Sequence, residues 1–266
     1  MFDRFNRKIN YLRISVTDRC NLRCVYCMPE EGVKLLEHSA ILSFDEIVSV
    51  VKAAVRKGVD KVRLTGGEPL VRKGIVDLVK MIGEIEGIKD YSMTTNAILL
   101  DKYADDLAKA GLHRVNISLD TLNPERFKRI TRGGDIQKVF DGIQAAKKAG
   151  LKPIKINCVI KENNNEPDAV DVANFCKENG LHVRFIKEMD LEKGEFSVVQ
   201  GGSGGDCGHC NRIRLTANGM IKPCLFSDLE YSVRKLGAEK AIDSAIQNKP
   251  LSGHENHTGK FYNIGG

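Results

Sequence analysis

The chain contains no tryptophan, and aromatic residues make up only 6% of its 266 positions. Single strands of nucleic acid bind on exposed aromatic platforms. With no nucleic-acid fold signature either, the sequence argues against a nucleic-acid partner. No apolar run approaches the roughly 18 residues of a membrane span, so no membrane association is expected. The first residues, Met1-Phe2-Asp3-Arg4-Phe5-Asn6-Arg7-Lys8, are charged throughout. They do not resemble the apolar core of a secretory leader, and a cytoplasmic location is expected. In that reducing setting eight cysteines read as metal ligands, not as a disulfide framework. The net charge of +6 is mild; it suits solubility, or a polyanionic ligand such as a nucleotide.

Three of the cysteines lie in Asp18-Arg19-Cys20-Asn21-Leu22-Arg23-Cys24-Val25-Tyr26-Cys27-Met28-Pro29, spaced C-x3-C-x2-C. A [4Fe–4S] cluster is usually held by four thiolates, one per iron. Three on one short loop leave an iron open, and in radical enzymes the methionine end of S-adenosylmethionine takes that place. The alternative is structural zinc, which normally wants a closed set of four ligands. No fourth ligand is evident nearby.

Beyond this loop, β-type runs at residues 11–16, 61–65, 91–95, 114–119, 155–160 and 182–186 alternate with helical patterns at 44–57, 73–85, 102–110, 136–149 and 166–179. Such alternation implies parallel strands joined by right-handed crossovers. The expected fold is α/β: a partial (β/α)6 TIM-like barrel, with a doubly wound open sheet as the alternative. Chemistry should gather at the C-terminal strand ends. The expected division is a barrel over 1–190 and a C-terminal region over 191–266 with a second cysteine set. Within that region, 192–206 reads as a flexible glycine-rich connection, 233–247 as an amphipathic stretch, and 248–266 as a mobile terminus.

Several motifs suit ligand binding. Thr65-Gly66-Gly67-Glu68-Pro69 closes the second strand: the glycines permit close backbone approach, and Glu68 can accept from an ammonium group. This motif is a candidate for holding the amino-acid part of S-adenosylmethionine. Met93-Thr94-Thr95-Asn96 and Asn116-Ile117-Ser118-Leu119-Asp120 offer hydroxyls and an amide, with helix capping as the plainer reading. The second cysteine set, Cys207, Cys210 and Cys224, is spaced C-x2-C-x13-C. Zinc with His209 as fourth ligand is possible in principle. His209, however, lies inside the C-x2-C turn and is poorly placed to complete that shell, so a second [4Fe–4S] cluster is favoured. Cys158 and Cys176 fall in a strand and a helix pattern and read as buried apolar residues. Arg212 and Arg214 alternate on an extended segment and share a face. Arg13, Lys61, Arg63, Lys155 and Arg184 project from strands, and inward-pointing cations need an anionic partner. A triphosphate fits arginine forks.

From Leu12 through Pro29 the sequence resembles the GTP 3′,8-cyclase family of radical S-adenosylmethionine enzymes. The likeness continues through Lys61 to Arg72, Thr94-Thr95-Asn96, Arg114 to Leu122, Lys155 to Ile160, Arg184 to Met189, the Cys207-to-Phe226 segment and the terminal Gly265-Gly266. It implies two [4Fe–4S] clusters, with Tyr26, Gly67, Ser118 and Met189 contacting S-adenosylmethionine at the first. It also implies that guanine binds the second cluster, and that Arg13, Arg63, Thr94, Lys155, Arg212 and Arg214 hold GTP with Lys61 and Arg184 nearby. Gly265 and Gly266 would reach into the site. The implied reaction joins C3′ of the ribose to C8 of guanine, the first step of molybdenum cofactor biosynthesis. Implied partners are a reductant such as flavodoxin or ferredoxin and a downstream pterin-forming enzyme; a homodimer is left open. Two departures stand out. Only 17 residues separate Met189 from Cys207, where the family carries more, and Lys187 replaces a usual acid. The rival readings are a radical enzyme acting on a peptide or another nucleotide, and a non-catalytic cluster protein that binds nucleotide.

Overall fold

Side chains alternate between the two faces of a strand, and here the alternation sorts two chemistries. The structure, a computed structural model, describes residues 1–265. Its first six strands are β1 (Tyr11–Ser15), β2 (Lys61–Thr65), β3 (Asp90–Thr95), β4 (Arg114–Ser118), β5 (Lys155–Ile160) and β6 (His182–Lys187). One face carries Leu12, Ile14, Val62, Leu64, Met93, Ile117, Ile156 and Phe185, all buried in the main core. They pack under α1 (Phe44–Arg56), α2 (Ile75–Gly83), α3 (Leu100–Lys109), α4 (Pro124–Thr131), α5 (Ile136–Lys148) and α6 (Pro167–Glu178). The other face carries Arg13, Arg63, Ser92, Thr94, Asn116, Ser118, Asn157 and Arg184. A buried parallel sheet usually reads apolar on both faces; this barrel has a polar interior instead.

Local signals set the helix starts. Ser43 Oγ accepts from Glu46 N at 3.2 Å while Glu46 Oε2 accepts from Ser43 N at 2.7 Å, a capping box for α1. Asn123 caps α4, with Pro124 opening it; this short helix has no counterpart in the predicted pattern.

The expected barrel is present. β1 through β6 run parallel in order, and β7 (Arg212–Leu215) joins as a further parallel strand beside β1. β8 (Met220–Lys222) and β9 (Tyr231–Ser232) extend the sheet antiparallel. The C-terminal region therefore shares one sheet with the barrel. The amphipathic stretch is broken at Gly237 (φ 78°) into α7 (Val233–Leu236) and α8 (Ala238–Gln247). No helix is long and apolar enough to cross a membrane among the described residues.

Two expectations are corrected. The 192–206 segment is not a loose tether: it folds back on β6, with paired backbone hydrogen bonds between Phe185 and Gln200, and Val199 N donates to Gly204 O at 2.8 Å. Its glycines serve close approach, since a Cβ on Gly205 (φ 79°) would overlap Ser197 O. Residues 248–265 are not a loose terminus either. Asn256 is fully buried, its Nδ2 donating to Leu225 O at 2.6 Å, and α9 (Phe261–Ile264) buries Ile264 against Leu191, Leu225 and Phe226.

Candidate functional site

The first cysteine loop links β1 to α1 and rests on α4. Arg23 N and Val25 N donate to Thr131 O and Ile130 O, at 3.2 and 3.0 Å. Arg132, left-handed at φ 52°, donates from Nη1 to Met28 O (2.8 Å) and Arg23 O (3.1 Å). Tyr26 is fixed by its hydroxyl donating to Asp120 Oδ2 at 2.7 Å, while Asp120 Oδ1 accepts from Val159 N. Burial pushes the thiols of Cys20 and Cys24 up to about 11 and about 12, and that of Cys27 higher.

Gly66 and Gly67 are required by the loop they cross. A Cβ on Gly66 would lie 2.8 Å from Thr17 O, and one on Gly67 would overlap Arg19 O. Gly67 N and Glu68 N donate to those same carbonyls at 2.7 and 2.8 Å. The motif and the cysteine loop are thus joined main chain to main chain.

Glu68 is 1% exposed and does not line the cavity beside it. Oε1 accepts from Leu70 N (3.0 Å) and Thr95 Oγ1 (2.7 Å), and Oε2 from Asn96 N (2.7 Å). Burial pushes its carboxyl up to about 7 against the pull of these hydrogen bonds. These bonds tie the motif to the end of β3. Glu68→Gln would turn one acceptor into a donor facing another donor, at about 1–3 kcal/mol. Thermal unfolding of the metal-free chain should drop by several degrees; an unchanged midpoint would show that this tie carries no stability.

The cavity above holds Cys20, Cys24, Cys27, Tyr26, Gly66, Gly67, Thr94, Ser118 and Met189. Lys187 and Glu188 stand on its wall. The capping reading does not hold for Thr95 and Asn96: their side chains accept from Ala97 N and Ile98 N in local turns, while α3 starts later behind Leu99 with no side-chain cap. Thr94 is different: its buried hydroxyl has no hydrogen-bond partner among the described residues.

A second cavity is lined by Cys207, Cys210 and Cys224 together with Arg13, Arg63, Arg184, Arg212, Arg214 and Lys249. Asn157, Ile186 and Met189 line both cavities, so the two cysteine sets face one shaft from opposite ends. His209 turns away: its side chain is 88% exposed and pairs with Asp206 at 2.9 Å. Among the described residues no three His, Cys, Asp or Glu side chains form a single-ion site. Each set nonetheless offers three sulfurs around a cavity, the donor set of a cluster with one open iron.

The cations do not sit at the C-terminal strand ends, where they were expected. Lys61, Lys155 and Arg212 are the first residues of β2, β5 and β7, and Arg13, Arg63 and Arg214 stand in register one pleat further on. Burial lowers the Arg13 guanidinium, with Arg214 and Arg63 adding to it, and holds Arg214 down to about 10 beside Arg212. Lys155 is brought down to about 8 by burial and by Arg184. Lys61 and Lys155 line neither cavity. Arg184 Nε and Tyr11 Oη are buried on the wall without a hydrogen-bond partner among the described residues. Asp206 is the sole carboxylate on that wall among the described residues, and a polyanion is the partner such a surface requires.

The second cysteine set has a different electrostatic setting from the first. Burial would raise the Cys210 thiol, but Lys249 and Arg212 overcome it and hold it at about 7. The tail closes the shaft: Gly265 O accepts from Arg214 Nη1, and Phe261 and Tyr262 line the first cavity. Gly266 lies outside the described residues. Sequence reasoning missed Asn157, Arg132 and Lys249, and it quoted Asp120 just past β4 without giving it a role. Asn157 carried a signal, two positions from Lys155 on the same strand face.

The pattern of the Radical SAM superfamily matches residues 14–176. A Listeria monocytogenes protein called GTP 3′,8-cyclase is 43% identical over 307 positions, covering 96% of this chain and 91% of that protein. A Clostridium botulinum protein of the same name is 43% identical over 319 positions, covering both chains fully, and one from Petrotoga mobilis is 39% identical. Alignments of 307 to 319 positions on 266 residues mean that the relatives carry segments absent here. Among solved structures, Streptococcus suis SuiB bound to precursor peptide SuiA superposes with TM-score 0.70 at 18% identity, covering 92% of this chain and 66% of SuiB. Native anSMEcpe with bound AdoMet superposes with TM-score 0.65 at 18% identity, covering 90% and 81%. These two likenesses show the fold.

Proposed function

The chain belongs to the GTP 3′,8-cyclase family of the radical SAM superfamily, and from that membership we propose that it converts GTP to 3′,8-cyclo-7,8-dihydro-GTP, the opening step of molybdenum cofactor biosynthesis. The observation that carries this reading is the shared shaft: two three-cysteine cavities with common walls and arginines between them.

In this reading Cys20, Cys24 and Cys27 hold a [4Fe–4S] cluster, with Tyr26, Gly66, Gly67, Ser118 and Met189 around S-adenosylmethionine. Cys207, Cys210 and Cys224 hold a second cluster that receives the guanine. Bound at the first cysteine set, the cluster and S-adenosylmethionine would supply the one-electron radical chemistry needed to take hydrogen from the GTP ribose. The protein's own work is placement. Arg13, Arg63, Arg184, Arg212 and Arg214 bind the triphosphate, and Thr94 and Asn157 stand where the two ligands meet. The tail at Gly265 and the aromatic pair Phe261 and Tyr262 exclude water from the radical. A soluble one-electron donor of the flavodoxin or ferredoxin type and a separate pterin-forming enzyme complete the scheme, in the cytoplasm.

The test is anaerobic incubation of reconstituted protein with GTP, S-adenosylmethionine and a strong reductant. GTP-dependent 5′-deoxyadenosine and a cyclised guanine nucleotide should form together. Equal, slow deoxyadenosine formation with and without GTP would refute GTP as substrate and leave the radical class standing.

A further inference from the structure

The second cysteine set is divided between two arms. Cys207 and Cys210 precede β7, and Cys224 follows β8, so a hairpin lies between them. The thiolates can share one cluster only if the main chains of both arms are held at a fixed separation. Two side chains from opposite ends of the sequence make that connection, and both act through backbone carbonyls.

Lys249 is 1% exposed. Its Nζ donates to Arg212 O at 2.8 Å on the first arm, and to Pro223 O, next to Cys224, on the second. Arg7, 7% exposed, donates from Nη1 to Cys207 O at 2.7 Å and to Leu251 O at 2.9 Å, and from Nη2 to Pro250 O at 2.7 Å. Asp3 orients Arg7: Asp3 Oδ2 accepts from Arg7 Nε at 2.7 Å, and Asp3 Oδ1 from Arg7 N at 2.9 Å. Arg7 thus fastens Cys207 to the segment that carries Lys249, and Lys249 fastens that segment to both arms. No carboxylate pairs with Lys249 among the described residues, yet its ammonium is buried on the wall that holds the three sulfurs. A buried cation needs an anion to offset its desolvation. The thiolates of a bound cluster are the anions within this wall.

We propose that Arg7 and Lys249 are positioning residues that strap the two arms of the second cysteine set at cluster-binding spacing, with the Lys249 ammonium offsetting the charge of the thiolate-ligated cluster. This rests on the reading that Cys207, Cys210 and Cys224 hold a second [4Fe–4S] cluster. The class of ligand is a cuboidal iron–sulfur cluster with three protein thiolates.

The experiment reconstitutes the full chain and its Lys249→Met, Lys249→Arg and Arg7→Met variants anaerobically. It reads iron per chain together with the electron paramagnetic resonance signal of the reduced protein. The unaltered chain should hold about eight irons, four per cluster. Lys249→Met and Arg7→Met should fall to about four, keeping the first cluster's signal and its response to S-adenosylmethionine. Lys249→Arg, which retains donors and charge, should return toward about eight. Variants that keep about eight irons and the full signal overturn the strap. Loss of both clusters also counts against it, because a strap on one set leaves the other loop intact. About four irons in the unaltered chain itself would instead sink the second-cluster reading.

Discussion

Cys24→Ala eliminates 5′-deoxyadenosine formation, with or without GTP, and lowers bound iron from about eight to about four per chain. The middle cysteine of the C-x3-C-x2-C loop has no substitute close by. Asn96, Tyr26 and Asp120 are engaged in hydrogen bonds that hold the loop and its neighbours. The loop's main chain should keep its shape in the variant, because Arg132 and the end of α4 grip it through carbonyl and amide groups rather than through thiols. The variant therefore tests chemistry separately from folding: circular dichroism and the unfolding midpoint of the metal-free chain should match those of the unaltered protein. Residual deoxyadenosine near the original rate would mean that the first set does not hold the reductive cluster.

Gly265→Ala should reduce GTP-dependent product by more than about tenfold while slow cleavage of S-adenosylmethionine without GTP continues. Two independent effects converge at this residue. Its φ of 76° lies in the left-handed region, where an alanine is disfavoured by roughly 1–2 kcal/mol. A Cβ there would also overlap Thr65 Oγ1, at the top of β2. Thr65 cannot easily yield, since its hydroxyl donates to Ile14 O at 3.1 Å and the residue is 2% exposed. The tail would have to withdraw, taking its carbonyl from Arg214 and opening the shaft to water. The expected loss exceeds the factor of ten that 1.36 kcal/mol represents because closure is lost as well. Equal turnover by Gly265→Ala and the unaltered chain would show that the tail is a bystander.

What could be read from the sequence was whatever depends on short spacing. The two cysteine sets, the strand–helix alternation and the period-two placement of Arg13, Arg63, Arg212 and Arg214 all follow from residues within a few positions of one another. Three kinds of feature could not be read that way. Arg7 and Lys249 act on carbonyls as many as 244 positions away, and a carbonyl has no signature in sequence. The tail looked mobile because its composition is polar and glycine-rich, which hides the few anchors, Asn256 and Ile264, that bury it. The glycines of residues 201–205 suggested slack; in fact they let the chain lie so close to β6 that a Cβ on Gly201 would stand only 2.8 Å from Val183 O. Composition alone does not separate a glycine used for freedom from one used for close approach. The height of the cations along their strands could not be read for a simpler reason: alternation gives the face of a strand, not the height at which a ligand lies along it.

The arginines that face one another inside the barrel also bear on how long the molecule lasts. Like charges held together in a poorly hydrated interior destabilise the ligand-free chain, and a bound polyanion removes that burden. By mass action, a ligand that binds only the folded form raises stability in step with its free concentration. If those arginines hold a nucleotide triphosphate, as proposed above, the folded population would rise with its supply, and scarcity would leave more of the chain open to proteolysis. The same charges that orient a substrate would then set the abundance of the protein that uses it.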